Sequence, residues 1–60
     1  MTNEEADQLI ADCENRESRL SDWERQFIDS VSQQRGNGRH LSERQAETLE
    51  TIWNKATERG

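Results

Sequence analysis

The chain has 60 residues, of which 28% are hydrophobic and 35% are charged, and its formal net charge is −5. This length allows one small domain, near the lower limit at which a hydrophobic core alone holds a chain folded. One cysteine excludes an internal disulfide, and no apolar run approaches membrane-spanning length. The start M-T-N-E-E-A-D also lacks the basic and apolar regions of a signal peptide, so the sequence predicts a cytoplasmic protein with no membrane contact.

The charge is unevenly distributed along the chain. Residues 1–30 contain nine acidic residues and three arginines, a net charge of −6, whereas residues 31–60 contain four acidic and five basic residues, a net charge of +1. An acidic surface disfavours contact with nucleic acid or an anionic membrane. It suits a basic surface on another protein, although a solvated helix face is the more common origin of such charge.

The first predicted helix covers residues 3–17. Thr2 and Glu5 are spaced as a capping box, and apolar residues follow at helical intervals, namely Ala6, Leu9, Ile10 and Cys13. The apolar pattern stops there, because nothing apolar follows before Leu20. We therefore expect this helix to be short or loosely packed at its end, with Ser18 and Arg19 in a tight connection.

Two further helices are predicted over residues 22–34 and 43–58. Each follows a Leu-Ser pair, and each serine is followed three residues later by a partner for a capping box: Ser21 with Glu24, and Ser42 with Gln45. The apolar positions of both segments recur at helical spacing. They are Trp23, Phe27, Ile28 and Val31 in the first segment, and Ala46, Leu49, Ile52, Trp53 and Ala56 in the second.

The connection between these two helices contains Gly36, Asn37 and Gly38, which tolerate the positive φ of a helix C-cap and of a chain reversal. The predicted fold is all-α: a small three-helix bundle with a helical hairpin, formed by the second and third helices and joined by a Gly/Arg-rich turn. We expect residues 1–60 to form this single domain.

No set of residues specifies a reaction. A nucleophilic role for Cys13 would require activation by a base such as His40, but Cys13 lies on an apolar stripe, where cysteine usually packs as a small hydrophobe. One histidine does not make a zinc site, which needs four ligands. The glycine-containing connection lacks the lysine and the preceding strand of a phosphate loop. The sequence predicts neither an enzyme nor a metal or other cofactor.

Nucleic-acid binding is a second possibility, since Arg35, Arg39 and Arg44 place positive charge in the connection and at the start of the third helix. Against it, the connection is longer than the turn of a helix-turn-helix, and the chain as a whole is acidic.

The two tryptophans each lie on an apolar stripe, which favours core packing. In a bundle of this size, one of them could instead remain at the surface. There, Trp53 with Arg44, or Trp23 with Arg19, would have the composition of an interface.

The segments L-S-D-W-E-R-Q-F-I-D-S-V, G-R-H-L-S-E-R-Q and L-E-T-I-W-N-K together resemble a short helical module of small phage and prophage proteins. The resemblance covers residues 20–55 and leaves the acidic first helix outside. Such modules occur near phage replication, recombination and host-takeover genes. In size, charge and helical build the chain is also similar to phage inhibitors of CRISPR surveillance complexes. This resemblance implies a partner protein whose bound surface normally receives nucleic acid.

The function predicted from the sequence is a non-enzymatic, phage-encoded protein-binding module that occupies a surface of a host protein or complex. An acidic face formed by Glu4, Asp7 and Glu14 would meet a basic groove. The predicted short-range contacts are aromatic and basic, from Trp23, Trp53, Arg35, Arg39 and Arg44. Two alternatives remain open at this point: a DNA- or RNA-binding accessory factor for phage replication or recombination, and a self-associating bundle such as a homodimer.

Overall fold

The computed structural model describes residues 1–58; residues 59 and 60, the last two of the predicted domain, lie outside the described part. Within residues 1–58 there are three α-helices and no strand: α1 (Asn3–Glu14), α2 (Asp22–Gly36) and α3 (Glu43–Thr57). A 3₁₀ turn (Glu17–Arg19) lies between α1 and α2. The all-helical bundle expected from the sequence is confirmed.

Side chains fix the beginning of each helix. The Thr2 hydroxyl accepts a hydrogen bond from the Glu5 amide at 3.1 Å. At α2 the Glu24 carboxylate accepts one from the Ser21 amide at 2.8 Å. The capping box at α3 is complete, since the Ser42 amide donates to Gln45 Oε1 at 2.9 Å and the Gln45 amide donates to the Ser42 hydroxyl at 3.1 Å. These bonds satisfy amides that have no partner within the helix.

The first helix ends three residues earlier than predicted. It stops at Glu14, and the chain turns through Asn15 and Arg16 into the 3₁₀ turn. No apolar residue between Cys13 and Leu20 gives a longer helix a buried face, so the chain instead turns and buries Leu20.

The helix α2 extends two residues beyond its predicted end, so Arg35 and Gly36 belong to the helix and not to the turn. The helix closes with paired bonds: the Gly38 amide donates to the Arg35 carbonyl at 2.9 Å, and the Arg39 amide donates to the Gln34 carbonyl at 3.1 Å. Gly38 has φ +79°, the left-handed conformation that this C-cap requires. The connection to α3 is therefore residues 37–42, which is shorter and less basic than the predicted Gly/Arg-rich turn.

Polar contacts define the order of the helices in space. Asn3 at the start of α1 meets His40 just before α3, and Asp12 near the end of α1 meets Trp53 near the end of α3. The helices α1 and α3 therefore run in the same direction. Glu24 at the start of α2 meets Lys55 near the end of α3, so α2 is antiparallel to both. The helices α1 and α3 pack together most extensively, and α2 and α3 pack together least extensively. The apolar faces of α2 and α3, which were predicted to pack against each other, thus pack mainly against α1.

The core combines residues from all three helices and from the connection before α2. Its buried members are Ala6, Ile10, Cys13, Leu20, Ile28, Val31, Leu49, Ile52 and Ala56, with Leu9, Phe27, Leu41 and Trp53 partly buried against them. The predicted stripes of α1 and α3 are largely confirmed, and Cys13 is a buried hydrophobe with 0% exposure.

Core packing was the wrong expectation for Trp23, which is 59% exposed. The buried side of α2 is centred on Glu24, Ile28 and Val31, at successive intervals of four and three residues. Trp23 lies with Phe27 beside this stripe, where neither α1 nor α3 covers it. A carboxylate thus occupies a core position, while a tryptophan faces solvent.

Candidate functional site

The three acidic residues predicted to bind a partner differ in their surroundings. Glu4, Asp7 and Glu14 are all exposed on α1. Asp7, however, forms a two-point ion pair with Arg35 of α2: Nε to Oδ1 at 2.8 Å, and the second guanidinium nitrogen to Oδ2 at 3.3 Å. Among the described residues, neither Glu4 nor Glu14 has an ion-pair partner, so these two carboxylates remain available to another molecule.

The Asp7–Arg35 pair changes the ionisation of both groups. The hydrogen bond from the guanidinium holds the pKa of Asp7 below its usual value, and the same bond raises the pKa of Arg35. Arg35 also donates to the Arg39 carbonyl at 2.8 Å, which ties the connection to α2. Residues assigned from sequence to separate acidic and basic sites are therefore partners within the fold.

A groove between α1 and α3 brings the acidic helix together with an aromatic residue. We call it the acidic groove, with a volume of about 320 Å³, and its lining residues are Met1, Glu5, Gln8, Leu9, Glu50 and Trp53. Trp53 is partly buried, and its indole Nε1–H donates to Asp12 Oδ2 at 3.0 Å. Gln8 Nε2 donates to the other oxygen of Asp12 at 3.2 Å. The indole is thus held in a fixed position beside the part of α1 that carries Glu5, Gln8 and Asp12.

A second, larger depression lies between α2 and α3, the pair of helices with the least extensive mutual packing. We call it the α2–α3 cleft; its volume is about 550 Å³ and it is lined by Phe27, Ser42, Arg44, Gln45 and Thr48. Trp23 lies one helical turn from Phe27 on the same side of α2. Trp23 is therefore an exposed aromatic next to a shallow surface that contains an arginine.

Polar contacts between α2 and α3 lie on either side of Phe27 along the two helices. Toward one end, Gln34 and Gln45 exchange amide hydrogen bonds at 3.1 and 2.9 Å. Toward the other, Lys55 Nζ lies 2.8 Å from Glu24 Oε1. The bond from Lys55, together with that from the Ser21 amide, holds the pKa of the buried Glu24 below its usual value.

The three arginines predicted as a basic surface differ in their surroundings. Arg35 is 14% exposed and turned toward Asp7, whereas Arg39 and Arg44 are exposed. Arg44 lines the α2–α3 cleft and is nine positions from Trp53, which places the two on opposite sides of α3. The suggested pairing of Trp53 with Arg44 is therefore not formed.

Arg19 is engaged in the fold as well. Its guanidinium donates to the backbone carbonyls of Ala56 at 3.3 Å and Glu58 at 2.7 Å, at the end of α3. These carbonyls lack partners within a helix, and a cation there also complements the helix dipole. Sequence reasoning missed this role, the burial of Glu24 and its ion pair with Lys55, and the bond from Trp53 to Asp12. The spacing of Glu24 with Ile28 and Val31 was the one available signal that this carboxylate would be buried.

The cysteine and histidine weighed as a catalytic pair do not meet. His40 Nδ1 lies 2.9 Å from Asn3 Oδ1. Burial raises the pKa of Cys13 to about 11, and neighbouring Asp12 adds to the effect, so the thiol stays protonated at neutral pH. Among the described residues there is also no group of three or more histidine, cysteine or acidic side chains placed to hold a metal ion.

No helix in residues 1–58 has the length and apolar character needed to cross a membrane. Comparisons with protein-family models, with curated proteins and with solved structures found no significant match to this chain. The functional inference therefore depends on the geometry and charge of the surfaces described above.

Proposed function

We propose that this chain is a non-enzymatic protein-binding module, encoded by a phage, that occupies a nucleic-acid-binding surface of a host defence or nucleic-acid-processing complex. It would act in the host cytoplasm, in the manner of small acidic CRISPR inhibitors. The observation that carries the proposal is a set of available carboxylates on α1. Glu4, Glu5 and Glu14 are exposed and have no ion-pair partner among the described residues. Glu5 lies on the side of α1 that lines the acidic groove, and Glu14 lies on the opposite side, next to α2.

Charge and shape have separate roles in this proposal. Surfaces that bind nucleic acid are rich in lysine and arginine, so an exposed acidic helix is steered toward them, and the resulting association weakens as salt rises. Short-range affinity comes from apolar contact, which the partly exposed Trp53 in the acidic groove can supply. Of the two tryptophans, Trp53 is thus the one that lines the acidic groove together with Glu5.

The test is a charge reversal that avoids the internal ion pair. Glu4→Lys/Glu14→Lys changes two carboxylates that support no contact in the fold, whereas reversing Asp7 would also break its bond to Arg35. Asp29→Lys/Glu47→Lys is the matched control, because both residues are exposed and the change in net charge is the same.

Each protein is immobilised, exposed to a bacterial lysate, washed with buffer and then eluted with competing DNA or RNA. We expect a nucleic-acid-binding protein to stay bound to the wild type and to the control until the competitor releases it, and we expect the Glu4/Glu14 variant not to capture that protein. A purified CRISPR surveillance complex, assayed for target binding with and without the chain, tests the narrower form of the proposal. Equal retention by both variants would remove the acidic face from the mechanism.

The alternative role, as a nucleic-acid-binding accessory factor, would use Arg35, Arg39 and Arg44. Because Arg35 is paired with Asp7, only Arg39 and Arg44 of these three are exposed. A gel-shift titration at two salt concentrations distinguishes it. Direct, salt-sensitive binding of DNA or RNA by the purified chain would favour this role over protein binding.

Self-association is the second candidate, because Trp23 is 59% exposed beside the partly buried Phe27. Large exposed aromatics are typical of protein contacts. Sedimentation over a range of concentrations, with Trp23→Ala for comparison, tests a homodimer: the wild type should associate and the variant should not. A wild type that stays monomeric at every concentration would exclude it.

A further inference from the structure

The acidic groove combines three features that point to one kind of occupant. Its apolar lining comes from Met1, Leu9 and Trp53, and one carboxylate from each of its two helices, Glu5 and Glu50, lines it as well. Among the described residues, neither carboxylate has an ion-pair partner. The volume of about 320 Å³ is at the lower end of the range of ~300–1,000 Å³ typical of small-ligand pockets, so a single long side chain fits it better than a large ligand.

We propose that the acidic groove receives an arginine side chain of a partner protein. The aliphatic part of the arginine would contact Met1 and Leu9, and the guanidinium would lie against the exposed part of the indole, within reach of Glu5 and Glu50. Arginine suits such a site because its planar cation stacks on aromatic rings and also donates to carboxylates through two nitrogens.

The hydrogen bond from Trp53 to Asp12 strengthens this assignment. The indole N–H is already satisfied at 3.0 Å, so the tryptophan offers the groove its ring and not its donor. With Gln8 holding the other Asp12 oxygen, the ring is ordered before a partner arrives, which lowers the entropy lost on binding. A lysine would gain the charge attraction but not the planar stacking, and an apolar residue would leave both carboxylates unpaired.

This inference rests on the proposed function, because it names the chemistry through which the acidic first helix and its groove engage a basic protein surface. It also has its own test, which needs no knowledge of the target. The probe is a short acetylated and amidated alanine peptide that contains two arginines. Matched peptides carry lysine, or the uncharged analogue citrulline, at the same positions.

Each peptide is titrated into isotopically labelled protein and followed by two-dimensional NMR. We expect shifts confined to the first turns of α1, to Glu50 and to the indole N–H of Trp53. Binding should be strongest for arginine, weaker for lysine and absent for citrulline. Equal binding of all three peptides, absence of binding up to millimolar arginine peptide, or shifts centred on Trp23 and Phe27 would overturn the proposal.

The variant that tests the carboxylates is Glu5→Gln/Glu50→Gln, with Asp29→Asn/Glu47→Gln as the control for the same change in net charge. Exposed ion pairs have modest individual strength, so we expect the groove variant to bind the arginine peptide about fivefold more weakly and the control to bind as the wild type does. Equal weakening in both would show attraction by overall charge alone and would overturn the proposal.

The two proposals can fail separately. If the groove variant still captures the nucleic-acid-binding protein that the Glu4/Glu14 reversal loses, the proposed function stands and the arginine site falls. If the arginine peptide binds the groove selectively while no such protein is captured, the arginine site stands and the proposed function falls.

Discussion

The Glu24–Lys55 ion pair makes a specific prediction about stability. Lys55→Met removes the ammonium group but keeps most of the apolar stem. The matched control is Arg25→Met, because Arg25 pairs with Asp22 in α2 at 3.0 Å and the two cations are similarly exposed, 55% for Lys55 and 51% for Arg25. The carboxylates differ: the Glu24 side chain is 5% exposed and that of Asp22 is 94% exposed.

The expected magnitude follows from what each carboxylate loses. Breaking a fully buried ion pair costs ~3–5 kcal/mol, and a hydrogen bond to a charged group contributes ~1.5–3 kcal/mol. Glu24 keeps its bond from the Ser21 amide, and water reaches the half-exposed position of the lysine nitrogen. We therefore expect Lys55→Met to lower the free energy of unfolding by about 1–2 kcal/mol, and Arg25→Met by about 0.5 kcal/mol or less.

Thermal and urea unfolding followed by circular dichroism measure both changes. In a domain of this size ~1 kcal/mol corresponds to ~4–8 °C in the melting temperature, so Lys55→Met should melt about 5–15 °C lower. A double-mutant cycle with Glu24→Gln isolates the contribution of the pair. Equal losses for Lys55→Met and Arg25→Met would show that the burial of Glu24 does not strengthen its pairing, and the reasoning would be wrong.

Three further predictions concern ionisation and packing. The folded state lowers the pKa of Glu24 from 4.5 and that of Asp7 from 3.8, so each carboxylate stabilises the fold fully above its unfolded value. This stabilisation is lost as the pH falls through the lower folded-state pKa values. The free energies of unfolding of the wild type and Glu24→Gln, measured by acid titration, should therefore converge at low pH. Reversing one charge of the Asp7–Arg35 ion pair, as in Arg35→Glu, should lower the melting temperature, and adding Asp7→Lys should restore part of the loss. If the double variant lost the sum of the two single losses, the pairing would be contradicted. Cys13 should react with a thiol reagent only as fast as the chain unfolds, and fast labelling of the folded protein would contradict its burial.

The helices themselves were predictable because their signals are local. Ser42 and Gln45 form the predicted capping box, and the apolar intervals of α1 and α3 identify their buried faces. Gly38 supplies the positive φ expected between the last two helices. Each of these signals depends on residues within about one helical turn of each other, so the amino-acid order alone contains the information.

The surfaces were less predictable, because they depend on which helix lies beside which. Glu4 and Asp7 look equivalent in the sequence, but only Asp7 lies opposite Arg35, 28 positions away. The acidic groove likewise requires α1 and α3 to run in the same direction, so that Glu5 and Trp53 share one surface.

Amino-acid order by itself determined three capped, amphipathic helices with an acidic first helix, since capping, periodicity and charge are properties of neighbouring residues. The tertiary structure alone decided that Trp23 is exposed while Glu24 is buried, and that Trp53 lies beside the acidic helix. The physical reason is that burial depends on how much of a helix its neighbours cover. The packing of α2 and α3 onto α1, made up of contacts between residues far apart in the chain, sets that coverage.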